Sequence, residues 1–133
     1  VQRVLDSSIR AQPDIGALAS IAPKTAAVML WNYPDNDVTR ITRPISLKLD
    51  GIPAKSVTVT RYIIDSSHRN SYEVWKKMGS PQQPTAAQIT TLEKAGMLQS
   101  EGPARKLAVN NKTLTLKSTL EGQAVELVKL DWQ

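Results

Sequence analysis

The sequence contains no cysteine and no phenylalanine, and its only histidine is His68. Without cysteine the chain forms no disulfide framework, thiolate metal site or thiolate nucleophile. A single imidazole also excludes a metal site built from several histidines, so we expect no metal and no cofactor. The lack of cysteine is compatible with the cytoplasm, the periplasm or secretion, and it leaves the compartment open.

Long apolar runs and dense charge clusters are also missing. No run approaches the ~20 residues of a membrane-spanning helix, so no membrane partner is expected. The 17 Lys and Arg exceed the 12 Asp and Glu, giving a net charge of +5. These cations are scattered, with no cluster denser than Lys76-Lys77 or Arg105-Lys106, whereas a nucleic-acid surface would concentrate them. A solvated, solubilising surface is therefore the favoured interpretation, and no nucleic-acid partner is expected.

The length and the composition are those of one ordinary soluble domain, with 133 residues, 41% hydrophobic and 22% charged. Residues 1–16 lack sustained periodicity and are predicted to form a connector. A single domain is predicted over residues 17–133, beginning with a short edge strand near Ala17–Ala19.

Strand-like alternation dominates the remainder of the chain. Its segments are residues 25–33, 45–49, 57–64, 105–109, 112–118 and 123–132. Asn110-Asn111 is predicted to close a hairpin between 105–109 and 112–118. About seven short strands with turn signals between them favour a mainly β fold, an antiparallel β-sandwich.

A helical insertion is predicted over residues 66–99, with its helices at about 70–96. Asn70 is a possible cap for a short first helix that holds Tyr72, Trp75 and Met78. Thr85 begins a capping box with Gln88, and the predicted second helix runs from about 85 to 95. Gly96 stands where a left-handed C-terminal cap is expected.

The polar candidates each have a functional and a structural interpretation. Asp65 precedes His68 by three residues, which makes a carboxylate–imidazole hydrogen bond plausible. The pair would act as a proton carrier or sugar contact, or it would fix the exit of the strand; we favour the structural role. Asp35-Asn36-Asp37 favours an Asx turn over a calcium loop, because it lacks the glycine and distant glutamate of such a loop. The five glutamates are predicted to face solvent.

The aromatic residues are either core and interface residues or a sugar-stacking platform. Strand 25–33 is apolar on both faces, which indicates cover on both sides. Trp31 and Trp132 are therefore predicted to lie in the core, whereas Tyr33 and Tyr72 are candidates for exposure. Packing in a core or an interface is the favoured role of these rings.

A long pattern in the insertion resembles a known family. It reads Tyr62-x-Ile64-Asp65-x-x-His68-x-Asn70-x-Tyr72-x-x-Trp75-x-x-Met78-Gly79-Ser80-Pro81, then Pro84-Thr85-x-x-Gln88 and Leu92-x-x-Ala95-Gly96-x-Leu98. With Trp31-x-Tyr33-x-Asp35-x-Asp37-Val38, it closely resembles the C-terminal region of glycoside hydrolase family 39, which contains bacterial β-xylosidases and α-L-iduronidases. Arg69 departs from the pattern, in which a small residue follows the histidine.

The resemblance implies a C-terminal β-sandwich beside an (α/β)8 catalytic barrel. Enzymes of this kind hydrolyse glycosides with retention by means of two glutamates, and the acid/base lies in an Asn-Glu-Pro motif. No Asn-Glu pair occurs in this sequence, so we predict no catalytic residue in it. The expected role is structural, with the barrel as partner and self-association through an exposed apolar patch. A free-standing carbohydrate-binding module is the alternative.

Overall fold

A computed structural model describes residues 14–34 and 41–133 of the chain. The elements of these ranges, in order, are β1 (Ile15–Ala22), β2 (Thr25–Asn32), β3 (Arg43–Asp50), β4 (Ser56–Ile64), α1 (Ser71–Lys77), α2 (Ala86–Gly96), β5 (Arg105–Ala108), β6 (Thr113–Leu120) and β7 (Ala124–Asp131). The predicted mainly β architecture with a short helical insertion is thereby confirmed. Strand β1 begins at Ile15, inside the segment predicted as a connector. The remainder of that connector and the predicted Asp35-Asn36-Asp37 turn lie outside the described residues.

The strands form two antiparallel sheets that pack face to face, as the predicted β-sandwich requires. One sheet has five strands in the order β1-β2-β7-β4-β5, and the other consists of β3 and β6. Both helices lie in the connection between β4 and β5, which are neighbours in the five-stranded sheet. After β5 the chain crosses to the second sheet and forms β6.

The core lies between the sheets, and strict alternation along each strand produces it. Its buried apolar members are Val28, Leu30, Ile52, Val57, Val59, Leu114, Leu116, Leu120, Ala124, Val128 and Leu130. Burial of one such Leu or Val side chain stabilises the fold by about 1.5–3 kcal/mol. On β3, Ile45, Leu47 and Leu49 face this core while Ser46 and Lys48 are exposed, so the other face of that strand is solvated.

The turn predicted at Asn110-Asn111 is present, but the predicted pairing of the two strands that flank it is wrong. Asn110 and Thr113 exchange backbone hydrogen bonds, and Asn111 and Lys112 have φ values of 50° and 60°, as a tight hairpin turn requires. The strands then separate, because β5 pairs with β4 and β6 pairs with β3. Local sequence indicated the turn, whereas the choice of partner depended on which sheet could bury each strand.

Asn32, at the end of β2, is a buried polar residue that the sequence pattern did not identify. Only 1% of it is exposed, and its Nδ2 donates to the carbonyl oxygens of Leu120 at 3.0 Å and Ile41 at 2.9 Å. Its own carbonyl accepts from the backbone N–H of Gln123. These bonds join the ends of β2 and β6 across the sandwich.

The second helix confirms one predicted cap and contradicts the other. Thr85 accepts from the backbone N–H of Gln88 and the Gln88 side chain accepts from the N–H of Thr85, so the capping box is present. Gly96 has no positive φ and is the last helical residue, so the predicted left-handed cap is wrong. A Cβ on Gly96 would lie 2.5 Å from Oγ of Ser71, so this glycine permits close packing of α1 on α2. In the described ranges no helix has the length and apolar composition needed to cross a membrane.

Candidate docking surface

The outward face of the five-stranded sheet carries a continuous row of apolar side chains. Leu18 of β1 pairs with Met29 of β2, Met29 pairs with Leu127 of β7, and Leu127 pairs with Tyr62 of β4. These residues alternate with the buried residues of their strands and so point away from the core. Leu18 is 54% exposed and Met29 is 37% exposed, while Tyr62 and Leu127 are half-buried.

A second row runs parallel to the first. It consists of Gly16, Trp31, Val125 and Ile64, each paired with the next across β1, β2, β7 and β4. The Trp31 ring lies over Gly16, where a Cβ would overlap it. We name the seven side chains of the two rows the outer apolar face: Leu18, Met29, Trp31, Tyr62, Ile64, Val125 and Leu127.

Polar residues border the outer apolar face toward the β1–β2 turn. The next row pairs Ser20 with Ala27, Ala27 with Lys129 and Lys129 with Thr60. Lys129 also forms an ion pair with Asp131 at 3.1 Å. An apolar patch with a polar rim is typical of an interaction surface on a soluble protein.

The two predicted core tryptophans therefore have different positions. Trp132 packs against the core cluster, as predicted. The core prediction for Trp31 is wrong, because the residue lies on the opposite side of its strand from buried Leu30 and is half-buried. Tyr33 follows β2 and is 63% exposed, and Tyr72 is 61% exposed, as expected for both.

Asp65 and His68 form the predicted carboxylate–imidazole contact at the end of β4. Nδ1 of His68 lies 2.8 Å from Oδ1 and 2.9 Å from Oδ2 of Asp65. The same Oδ1 accepts from the backbone N–H groups of Ser67 and His68 at 2.8 and 2.7 Å. Asp65 is buried and His68 is exposed, so the carboxylate holds the turn by which the chain leaves the sheet.

Arg69, which departs from the family pattern, forms hydrogen bonds with the segment that precedes β5. Its φ is 52°, in the region where small residues are more usual. Its guanidinium donates to Oε2 of Glu101 at 2.6 Å and to the carbonyl of Ser100 at 3.2 Å. These bonds connect the exit from β4 to the segment that re-enters the sheet before β5.

The predicted residues of the first helix come together on and around α1. The Asn70 side chain accepts from the backbone N–H of Glu73, which confirms its role as N-cap. The rings of Tyr72 and Trp75 stack with centroids 5.7 Å apart, and Nε1 of Trp75 donates to the carbonyl of Pro81 at 3.0 Å. Met78 ends the helix and is half-buried. The segment is thus ordered by its own contacts, with Tyr72 presented to solvent.

One of the five glutamates contradicts the prediction that all face solvent. Glu126 on β7 is 3% exposed and points into the core. Ser118 of β6 donates a short hydrogen bond to its Oε2, and Nε of Arg61 lies 3.4 Å from its Oε1. The signal in the sequence was a charged residue at one of the alternating positions of β7 that are otherwise apolar, Ala124, Val128 and Leu130. The cluster joins β4, β6 and β7.

We searched the described residues for clusters of side chains that could hold a metal ion. In residues 14–34 and 41–133, no three His, Cys, Asp or Glu side chains lie together as metal ligands would. On the exposed face of β3, the Thr113 hydroxyl and the Lys48 ammonium hold the pKa of the Asp50 carboxyl group below its usual value.

Known proteins share both this sequence pattern and this architecture. The model of Glycosyl hydrolases family 39 matches residues 6–111, well over half of the chain. The chain belongs to this family. The match includes β1 to β5 and both helices, and it ends before β6.

The family 39 relatives are much longer than this chain. A β-xylosidase from Geobacillus stearothermophilus is 29% identical over 69 residues, which are 52% of this chain and 14% of that protein. The chain therefore spans a small part of the curated relative that it matches.

Solved structures of family 39 enzymes contain the same fold. A family 39 enzyme from Xanthomonas axonopodis pv. citri gives a TM-score of 0.70 at 17% identity, over 86% of this chain and 25% of that chain. A bacterial orthologue of human α-L-iduronidase gives 0.71 at 17% identity, over 92% and 23%. A monomeric β-xylosidase from Caulobacter crescentus gives 0.66 at 18% identity, over 86% and 26%. The family resemblance and the β-sandwich prediction are confirmed.

Proposed function

We propose that the β-sandwich from β1 to β7, with its helical insertion over residues 66–99, is a non-catalytic C-terminal accessory domain of a retaining exo-glycosidase that resembles β-xylosidases. Its role is structural, and its partner is an (α/β)8 catalytic barrel of the same protein. The observation that carries the proposal is coverage: nearly all of this chain matches 23–26% of solved family 39 enzymes. The rest of those enzymes has no counterpart here.

The chemistry of the family also favours a non-catalytic role for this segment. Retaining hydrolysis needs two carboxyl groups about 5–5.5 Å apart on either side of the glycosidic bond. Here the buried Glu126 is already bound to Ser118 and Arg61, and Glu101 is bound to Arg69. Neither carboxylate is presented to a pocket with a second one.

The outer apolar face is the proposed contact with the barrel. It combines side chains of β2 with Tyr62 and Ile64 of β4 on one side of the sheet. Two adjacent apolar rows with a polar rim suit burial against a second domain. Without that domain the same face would drive self-association of the chain.

Light scattering and binding of an apolar fluorescent dye test the surface directly. Met29→Glu places a charge at the centre of the outer apolar face and should reduce both self-association and dye fluorescence. Ser46→Glu adds the same charge to the exposed face of β3 and serves as the control. A strictly monomeric parent chain that binds no dye would contradict the proposed surface.

Mixing this chain with a separately produced catalytic barrel tests whether such a barrel is its partner. The barrel of a family 39 β-xylosidase, produced without its own C-terminal region, should gain thermal stability when this chain is added. The Met29→Glu variant should give less stabilisation than Ser46→Glu. The chain alone should hydrolyse no aryl glycoside, and turnover by the pure chain would overturn the proposal.

A carbohydrate-binding module is the second candidate, because Tyr33 and Tyr72 both present exposed rings. Lys76 lies over the Tyr72 ring at 4.8 Å from its centroid, which already occupies part of that surface. Titration with xylo-oligosaccharides should perturb the ring resonances of Tyr33 or Tyr72 if the module binds sugars. Unchanged spectra and no heat of binding would eliminate this candidate.

A further inference from the structure

A cleft of about 330 Å³ lies between the two sheets on the side of β5, on the opposite face of the five-stranded sheet from the outer apolar face. Its apolar floor consists of Val59, Leu107 and Leu116 from β4, β5 and β6. Its polar wall includes Arg61, Arg105 and Lys117. This volume falls in the range of small-molecule sites, which combine an apolar floor with a few polar groups.

Two arginines project into this cleft from the same face of the sheet. Arg105 pairs directly with core residue Val59, and Arg61 is two residues farther along β4, so both alternate with the core side chains. Diagonal neighbours of this kind are about 7–8 Å apart, within reach of long side chains. A small anion between the two side chains would contact both guanidinium groups.

Arg61 is held in place for such a role. Its Nη2 donates to the carbonyl oxygen of Lys117 at 2.9 Å, and its Nε faces Glu126. One edge of the guanidinium is thus fixed by β6 and β7. A preorganised guanidinium binds a carboxylate or sulfate with less loss of side-chain entropy than a mobile one.

The charges of the cleft are not balanced within it. Glu101 lies at its margin, but that carboxylate is bound by Arg69 at 2.6 Å. Among the described residues, no carboxylate lies within ion-pair distance of Arg105 or Lys117. The cleft therefore carries an excess of positive charge at its mouth.

We propose that this cleft binds a small molecule carrying a carboxylate or sulfate group, with Arg105 as its main ligand. The anionic group lies between Arg105 and Arg61, and the body of the ligand covers Leu107 and Leu116. Since these leucines belong to different sheets, the bound ligand connects the sheets. The inference is independent of the proposed packing against a barrel.

Amide NMR titration of the whole chain with sodium sulfate, sodium glucuronate and neutral glucose tests the site at constant ionic strength. We expect saturable shifts at Leu107 and Leu116 with at least one anion and none with glucose. Tighter binding of glucuronate than of sulfate would support a ligand whose body covers the two leucines, whereas tighter binding of sulfate would contradict that contact. The absence of saturable shifts with both anions would overturn the proposal.

Matched substitutions separate the cleft from general surface charge. Arg105→Gln should weaken anion affinity by about tenfold, because it removes a charge-assisted bidentate contact. Lys106→Gln removes the same charge from the next residue of β5, which faces the other side of the sheet, and should change affinity less than about twofold. Arg105→Lys keeps the positive charge but lacks the planar, bidentate guanidinium group, so its anion affinity should lie between that of the unsubstituted chain and that of Arg105→Gln. Equal losses for Arg105→Gln and Lys106→Gln, in variants with native amide spectra, would disprove a specific site.

Discussion

The indole ring of Trp31 lies over Gly16 of the neighbouring strand, and a Cβ at residue 16 would overlap its six-membered ring. The contact lets a large aromatic residue lie flat on the outer side of the sheet, half-buried by the strand beside it. Trp31 thereby becomes part of a flat apolar surface and leaves the core to Leu30 and Asn32.

Gly16→Ala should displace Trp31, because the added methyl group and the ring cannot occupy the same space. We expect a loss of about 1–2 kcal/mol in the free energy of unfolding and a red shift of tryptophan fluorescence. Denaturant unfolding followed by fluorescence measures both. Ser20→Ala on the same outward side of β1 is the control, and equal effects of the two substitutions would contradict the Gly16–Trp31 contact.

Asp65→Ala should destabilise the chain more than His68→Ala. The Asp65 carboxylate accepts from two backbone N–H groups as well as the imidazole, whereas His68 contributes one side-chain bond. We expect losses of about 2–3 kcal/mol and about 1 kcal/mol in the free energy of unfolding. Urea unfolding of both variants decides this, and a larger loss for His68→Ala would indicate a role of the imidazole beyond the turn.

Glu126→Gln should weaken the junction between β4, β6 and β7. The neutral amide keeps the shape of the side chain but removes the charge that pairs with Arg61 and accepts from Ser118. We expect a loss of about 2 kcal/mol, discounted from a fully buried pair because Arg61 is 31% exposed. Thermal unfolding measures it, with the exposed Glu93→Gln as control; an unchanged Tm would mean that the pair contributes nothing net.

Thr85→Ala should fray the start of α2, since it removes the acceptor for the N–H of Gln88. The expected loss is about 1 kcal/mol of local stability. Hydrogen exchange of the first-turn amides of α2 reports it. In contrast, Thr91→Ala removes only a bond to the Ala87 carbonyl within the helix and should leave exchange of that turn nearly unchanged.

Thr113→Val should raise the pKa of Asp50 toward its usual value. The Thr113 hydroxyl donates to Oδ1 of Asp50 at 2.7 Å and is the largest cause of its lowered pKa. Since a lowered folded pKa stabilises the protein above the unfolded pKa, that stabilisation disappears as pH falls through the folded value. NMR titration of the Asp50 carboxyl group should show the rise in the variant, and the stability difference from the wild type should shrink in acid. Identical titration curves would show that the hydroxyl is not the cause.

Short-range features of this protein were determined by the sequence itself. The alternation of β3 and β4, the Asn70 cap and the Thr85–Gln88 capping box each depend on residues within a few positions of one another. The Asp65–His68 contact likewise joins residues three positions apart, and the alternation of apolar and polar residues along short strands indicated the β-sandwich. Such features follow from backbone periodicity and local hydrogen bonding, which neighbours in sequence specify.

Tertiary structure decided the features that depend on partners distant in sequence. Asn110-Asn111 specified a turn, yet the separation of β5 from β6 depended on two sheets competing for them. The apolar faces of β2 looked equivalent in sequence, and only the pairing with β1 and β7 placed Leu30 inside and Trp31 outside. The burial of Glu126 required Arg61 and Ser118 to meet it from two other strands. A side chain's environment is set by the surfaces that pack on it, and those surfaces are assembled only when the whole chain folds.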